Sequence, residues 1–178
     1  MKLADAKVLA DRICTVLGPF CERVEIAGSI RRGRSEVGDV DIVALPKAVD
    51  LPGGLVGTVH WNVSQVWKTL IPRAFKKSWM TVEASGQELL RSSFLDGAFQ
   101  VDVYRAKPET WGVILLVRTG SKEHNVKLCS IAQSKGLKLS ASHGILDNSG
   151  IIACRTEEGI FQALGLKFIE PKDREVHY

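Results

Sequence analysis

Apolar residues recur at Leu3, Val8, Leu9, Ile13, Val16 and Leu17, close to helical period, and Gly18-Pro19 ends the run. The chain therefore opens on an amphipathic helix. From Arg23 to Ala27 charged and apolar residues alternate, as they do in a half-buried strand, and the run leads directly into Gly28-Ser29. Asp39 to Leu45, DVDIVAL, predicts a second strand closed by Pro46, and the Pro/Gly-rich stretch Leu51 to Gly57 predicts a loop. Residues 58 to 80 fit neither period. Leu89 to Leu95 and Ala98 to Ala106 flank Asp96-Gly97, a two-residue connection that predicts a hairpin and brings the expected strands to at least four.

After Pro108 the pattern changes. Glu109 to Arg118 and Ser121 to Lys135 follow helical period, and Gly136 is placed to end the second helix. Leu137 to Arg155 holds two short apolar runs separated by the turn sequence Asp147-Asn148-Ser149-Gly150. Thr156-Glu157-Glu158 then predicts the start of a last helix ending near Gly165. The order predicts an α+β fold: a sheet unit over residues 1–106, then a smaller helix-and-hairpin unit over residues 107–178.

With 178 residues, 45% of them hydrophobic, the chain can bury a core without staples. The longest apolar runs fall far short of the roughly 20 residues that span a bilayer, and acids interrupt the N-terminus, so a soluble, cytoplasmic monomer is expected. Cys14, Cys21, Cys129 and Cys154 lack paired CxxC spacing and read as buried thiols of a reducing compartment. A formal charge of +4 is compatible with a polyanionic partner but does not demonstrate one.

Asp39 and Asp41 alter this picture. At i and i+2 on a strand both carboxylates share one face. Like charges that close repel unless a cation neutralises them, and hard oxygen ligands suit Mg²⁺ or Mn²⁺ rather than zinc. Between Phe99 and Tyr104 the apolar set is Phe99, Val101 and Val103, which leaves Asp102 on the polar face with Gln100 and Tyr104. Three carboxylates holding two divalent ions roughly 3.5 to 4 Å apart can activate an attacking hydroxyl and steady a leaving pyrophosphate. On spacing alone, two acids on a solvated sheet face fit as well. Gly28-Ser29 shifts the balance, because a strand-to-turn Gly-Ser offers backbone N–H groups and a hydroxyl to phosphate, with Arg31, Arg32 and Arg34 next in line. Gly38 would let the backbone approach the ions, or is an ordinary turn glycine.

Together GSIRRGRSEVGDVDIV (28–43), QVDVY (100–104), TGSKEHN (119–125), KGLKLSASHGI (135–145), TEEGIFQALGL (156–166) and IEPKDR (169–174) resemble the DNA polymerase beta-like family X polymerases, in the family's order. The resemblance implies a nucleotidyltransferase palm, a mixed sheet with helices, followed by a small α/β thumb. It implies that Asp39 and Asp41 bind both ions, that Asp102 joins at the ion activating the primer 3′-hydroxyl, and that Gly28, Ser29 and Arg32 hold the triphosphate, with Gly38 beside them as a further substrate-site candidate. Thr119, Gly120 and Ser121 would form the turn beneath the sugar, which is also a plain helix-to-helix turn with Ser121 as N-cap, and Asn125 would lie near the incoming base. Lys122, Lys127, Lys135 and Lys138 would reach primer-template or gapped DNA, or form a solvated helix face.

Departures qualify this. The 27 residues before Gly28 hold neither a lyase domain nor a helix-hairpin-helix unit, so neither activity is expected. Val117-Arg118 stands where the family commonly has Tyr-Phe, Cys129 where many members have a template-side arginine, and Gln100 where some have arginine. The expected function is templated nucleotide addition from dNTP to a primer 3′ end, as in short-gap repair. A template-independent transferase and a non-catalytic nucleic-acid-binding subunit are the alternatives.

Overall fold

The computed structural model describes residues 1–53, 57–78, 80–94 and 97–175. A five-stranded sheet in the order β1-β2-β7-β6-β5 is built from Cys21–Ile26 (β1), Asp39–Pro46 (β2), Thr81–Ser85 (β5), Leu89–Phe94 (β6) and Phe99–Arg105 (β7). β2 and β7 pair in parallel and the other neighbours antiparallel, so the sheet is mixed, as expected. On one face Val40, Ile42, Val101 and Val103 are buried against helix α1 (Leu3–Leu17) and a helical stretch. That stretch comprises α3 (Val63–Gln65), a π-helical turn (Val66–Leu70) and α4 (Ile71–Lys77). Pro72 lacks the N–H that would continue the α-helical ladder, and the irregular turn immediately precedes it.

Alternation along β2 sends Asp39, Asp41 and Val43 to the opposite face, where Val43 joins Ala27, Ala106, Trp111 and Leu115 in a small cluster under α5 (Trp111–Thr119). After α5 come α6 (Lys122–Ser134), a three-stranded sheet of β8 (Lys138–Ser140), β9 (Gly144–Asp147) and β10 (Gly150–Ala153), and α7 (Glu157–Ala163). They enclose their own core around Leu116, Leu128, Ile145 and Phe161. Ser121 caps α6 by accepting from the His124 N–H at 3.2 Å, and Thr156 caps α7 by accepting from the Gly159 N–H at 3.0 Å.

Three elements differ from the sequence reading. The expected loop at 51–57 borders a hairpin of β3 (Val49–Pro52) and β4 (Thr58–Trp61), both largely exposed, so no burial pattern marks them. β5 is an exposed edge strand for the same reason. The region from 137 to 155 holds three strands instead of two apolar runs. β6 and β7 do pair antiparallel, up to Phe94 opposite Phe99, while Asp96 of the expected turn lies outside the described residues. Among the described residues no helix is long and apolar enough to cross a membrane.

Candidate active site

β1 ends at Ile26 and the chain turns through Gly28 at φ +57°, a left-handed conformation that glycine adopts without strain. The short helix α2 (Gly28–Arg31) then presses its first residue onto β2: a Cβ on Gly28 would lie 2.2 Å from Asp41 Oδ2. Any other residue would displace the carboxylate. The Ser29 hydroxyl is buried without a hydrogen-bond partner among the described residues, an unmet capacity that a ligand oxygen would satisfy. Burial, then the neighbouring Asp39 charge, raises the Asp41 carboxyl from its ordinary 3.8 to about 7.

These groups form one wall of a cleft of about 680 Å³, with Arg32 beside them. The other wall comes from α5, α6 and the turn between them, through Arg118, Gly120, Lys122, Asn125 and Cys129. Asn125 donates to the Val117 carbonyl at 2.9 Å, while its buried Oδ1 has no partner among the described residues. The Arg118 guanidinium sits 4.0 Å over the Tyr104 ring, so a cation stacks where the resemblance expected an aromatic. Arg32 donates to the Thr119 carbonyl and to Glu175, which places it in the cleft wall; Arg34, on the exposed side, donates to Glu175 at 3.1 Å.

Asp102 behaves differently from the other two acids. It is the register partner of Asp41 on β7, yet it is only 2% exposed and both its oxygens are taken by Arg91 of β6, at 2.8 and 2.7 Å. Gln100 and the Tyr104 hydroxyl also donate to it, at 3.1 and 3.3 Å. Among the described residues, no three acids, histidines or cysteines converge as a ready metal cluster. The donor set nonetheless fits a hard divalent cation at Asp39 and Asp41, where two carboxylates crowd and one is held near neutrality by burial.

A second polar cluster ties this wall to the C-terminal unit. Arg31 grips Glu157 of α7 with two hydrogen bonds, at 2.9 and 2.6 Å, and donates to Thr119 Oγ1 at 2.8 Å. The fully buried Arg174 donates to Glu157 at 2.7 Å, and its carbonyl accepts from the Ser121 hydroxyl at 2.8 Å. Burial works to raise the Glu157 pKa, but the hydrogen bonds from Arg31 and the charge of Arg174 outweigh it and hold the carboxyl below its usual range. Motif spacing singles out neither Arg91 nor Glu157: each looks like an ordinary charged surface residue until its partner is known.

The four lysines expected at DNA have different surroundings. Lys122 lines the cleft, Lys127 is part-buried, and Lys135 lies against Gly165. Five residues of helix rotate Lys127 about 140° from Lys122. Lys138 is exposed on β8.

Residues 114–175 match the DNA polymerase beta thumb family. The structure superposes on the crystal structure of Leishmania infantum polymerase beta in its ternary P/T complex with a TM-score of 0.74 at 18% identity, covering 99% of this chain and 77% of that one. The chain has the fold of that polymerase beta, and its C-terminal residues carry the match to the polymerase beta thumb. Among curated relatives it is 33% identical to yeast (Saccharomyces cerevisiae) DNA polymerase IV over 79 residues, 44% of this chain and 13% of that protein. It is 28% identical to DNA polymerase lambda of Rattus norvegicus over 167 residues, 83% of this chain and 28% of the relative. The chain thus spans less than a third of either curated relative.

Proposed function

We propose that this chain is a template-directed nucleotidyltransferase that adds nucleotides from dNTP to a primer 3′-hydroxyl, in the manner of short-gap repair synthesis. The observation that carries this reading is the contact of Gly28 with Asp41, beside a Ser29 hydroxyl without a hydrogen-bond partner among the described residues. It joins a cradle suited to phosphate and a pair of crowded carboxylates in one cleft whose other wall is α5, α6 and the turn between them. Residues 1–106 would act as the palm and 107–178 as the thumb.

In this reading Gly28, Ser29 and Arg32 hold the triphosphate, with Gly38 keeping the approach to Asp39 open. Thr119, Gly120 and Ser121 position the sugar, and Asn125 faces the base. Asp39 and Asp41 would hold two Mg²⁺ or Mn²⁺ ions, with Asp102 joining at the ion nearest the primer end. When bound, these ions would ease deprotonation of the 3′-hydroxyl and offset charge on the departing pyrophosphate. The 3′-oxygen bonds to the α-phosphorus, the α–β bridging P–O bond breaks, and its electron pair leaves with pyrophosphate.

Primer extension with and without template, in Mg²⁺ and in Mn²⁺, tests the reading. Templated, single-nucleotide incorporation is expected. Extension indifferent to the template would make the chain a template-independent transferase, and duplex binding without incorporation would make it a non-catalytic subunit.

Stability offers a test that needs no turnover. Because the folded pKa of Asp41 is raised from 3.8 to about 7, the folded state keeps a proton that the unfolded chain has already released. The associated stabilisation is complete below about pH 4 and is lost as pH rises through about 7. A cation would replace that proton, so the rise in Tm produced by Mg²⁺ or Mn²⁺ should grow between pH 6 and pH 8. A rise of equal size at both values would place the cation elsewhere.

A further inference from the structure

Antiparallel pairing of β6 with β7 sets Arg91 opposite Asp102, and parallel pairing of β7 with β2 sets Asp102 opposite Asp41. The third acid of the site therefore already has a cation of its own, forked onto both oxygens at 2.8 and 2.7 Å. The two partners are unequally placed. The Arg91 side chain is 39% exposed and the Asp102 side chain 3%, so the guanidinium can turn outward while the carboxylate stays. Hydrogen bonds from Gln100 and Tyr104 would still steady Asp102 after Arg91 left.

The strand order β1-β2-β7-β6 separates two phosphate-binding features. Gly28 and Ser29 lie on the β1 flank of the Asp41–Asp102 pair, and Arg91 on the β6 flank. At roughly 5 Å per strand, Arg91 stands two spacings, about 10 Å, from β2. A triphosphate seated at Ser29 is thus on the wrong side for Arg91, and the exposed Arg91 on the β6 flank is left to whatever brings the attacking hydroxyl.

We propose that Arg91 is a reader of the polynucleotide strand that exchanges the Asp102 carboxylate for a backbone phosphodiester, and in doing so releases Asp102 to the cation site. This rests on the nucleotide-adding reading for the identity of the strand. A guanidinium fork matches a phosphate as well as a carboxylate, so the exchange trades one bidentate pair for another. Before the strand binds, Asp39 and Asp41 take one cation and Asp102 contributes nothing. Once Arg91 has turned to the phosphodiester, a second cation gains its ligand. Strand and second cation then favour one another, and the factor must be the same in both directions.

The test is Mn²⁺ titration of the full chain, followed by the electron paramagnetic resonance of free Mn²⁺, with and without a primer-template duplex ending in a 2′,3′-dideoxynucleotide. The wild type should bind one Mn²⁺ tightly alone and gain the second with the duplex, about tenfold or more tighter, within the usual range of couplings. Fluorescence anisotropy should show duplex affinity rising with Mn²⁺ by the same factor. Arg91→Gln should bind two Mn²⁺ without duplex, its duplex affinity should no longer depend on Mn²⁺, and its dNTP affinity should equal wild type. Arg91→Lys, which keeps the charge but not the fork, should retain part of the coupling, and serves if the glutamine variant does not fold. Equal Mn²⁺ stoichiometry in wild type and variant without duplex would overturn the proposal. A loss of dNTP affinity would also overturn it, by assigning Arg91 to the triphosphate. Coupling without incorporation would refute the catalytic reading and leave Arg91's role intact; incorporation without coupling would do the reverse.

Discussion

Asp41→Asn is expected to lower the single-turnover incorporation rate by about a thousandfold or more while leaving the protein as stable as wild type, or more so. Electrostatic stabilisation at a metal-assisted phosphoryl transfer is worth several kcal/mol, and about 4 kcal/mol corresponds to three decades in rate. Asparagine keeps the shape that fits beneath Gly28 but supplies no negative charge. The folded protein already disfavours that charge, as the carboxyl raised to about 7 shows, so a neutral amide removes a destabilising element near neutral pH. Opposite signs in rate and stability are the signature of a functional charge held against the interest of the fold. The measurement is rapid-quench incorporation beside thermal melting. A near wild-type rate would remove Asp41 from the proposed site.

Glu157→Ala should be the most destabilising single change at the site, by about 3 to 5 kcal/mol, because it leaves two guanidiniums facing one another without their shared anion. Glu157 is 5% exposed and Arg174 fully buried, so water does little to screen what remains. Arg31 already pulls the Arg174 pKa down, after the larger effect of burial, and that repulsion is unopposed in the variant. Glu157→Gln, which can still accept from one arginine, should lose less. Urea denaturation of the three proteins checks the order and size of these effects. A loss under 1 kcal/mol for the alanine variant would mean that the cluster relaxes into water. Nucleotide affinity should fall in parallel, because Arg31 belongs to the α2 turn that carries Gly28 and Ser29.

Much of this protein was legible because burial imposes a period. The DVDIVAL run had to put Asp39 and Asp41 on one face if Val40 and Ile42 were buried on the other, and FQVDVY had to do the same for Asp102. The helices α1, α5 and α6 were legible for the same reason, and their ends were marked by Gly18-Pro19, Ser121 and Gly136. The strands β3, β4 and β5 were not, because exposed edge strands carry little apolar alternation and are defined by the neighbour they pair with.

Tertiary structure decided the electrostatics. That Asp41 is adjacent to Asp102, and Asp102 to Arg91, follows from strand order and register across the sheet, which no local pattern encodes. The same holds for Arg31 and Glu157, 126 residues apart in the chain and in direct contact in the fold. Sequence by itself determined which face of its strand each acid takes, since that depends on the alternation of a single element. Which of them arrive free to bind a ligand, and which arrive already bound to an arginine, depends on distances between elements, and those exist only once the chain has packed.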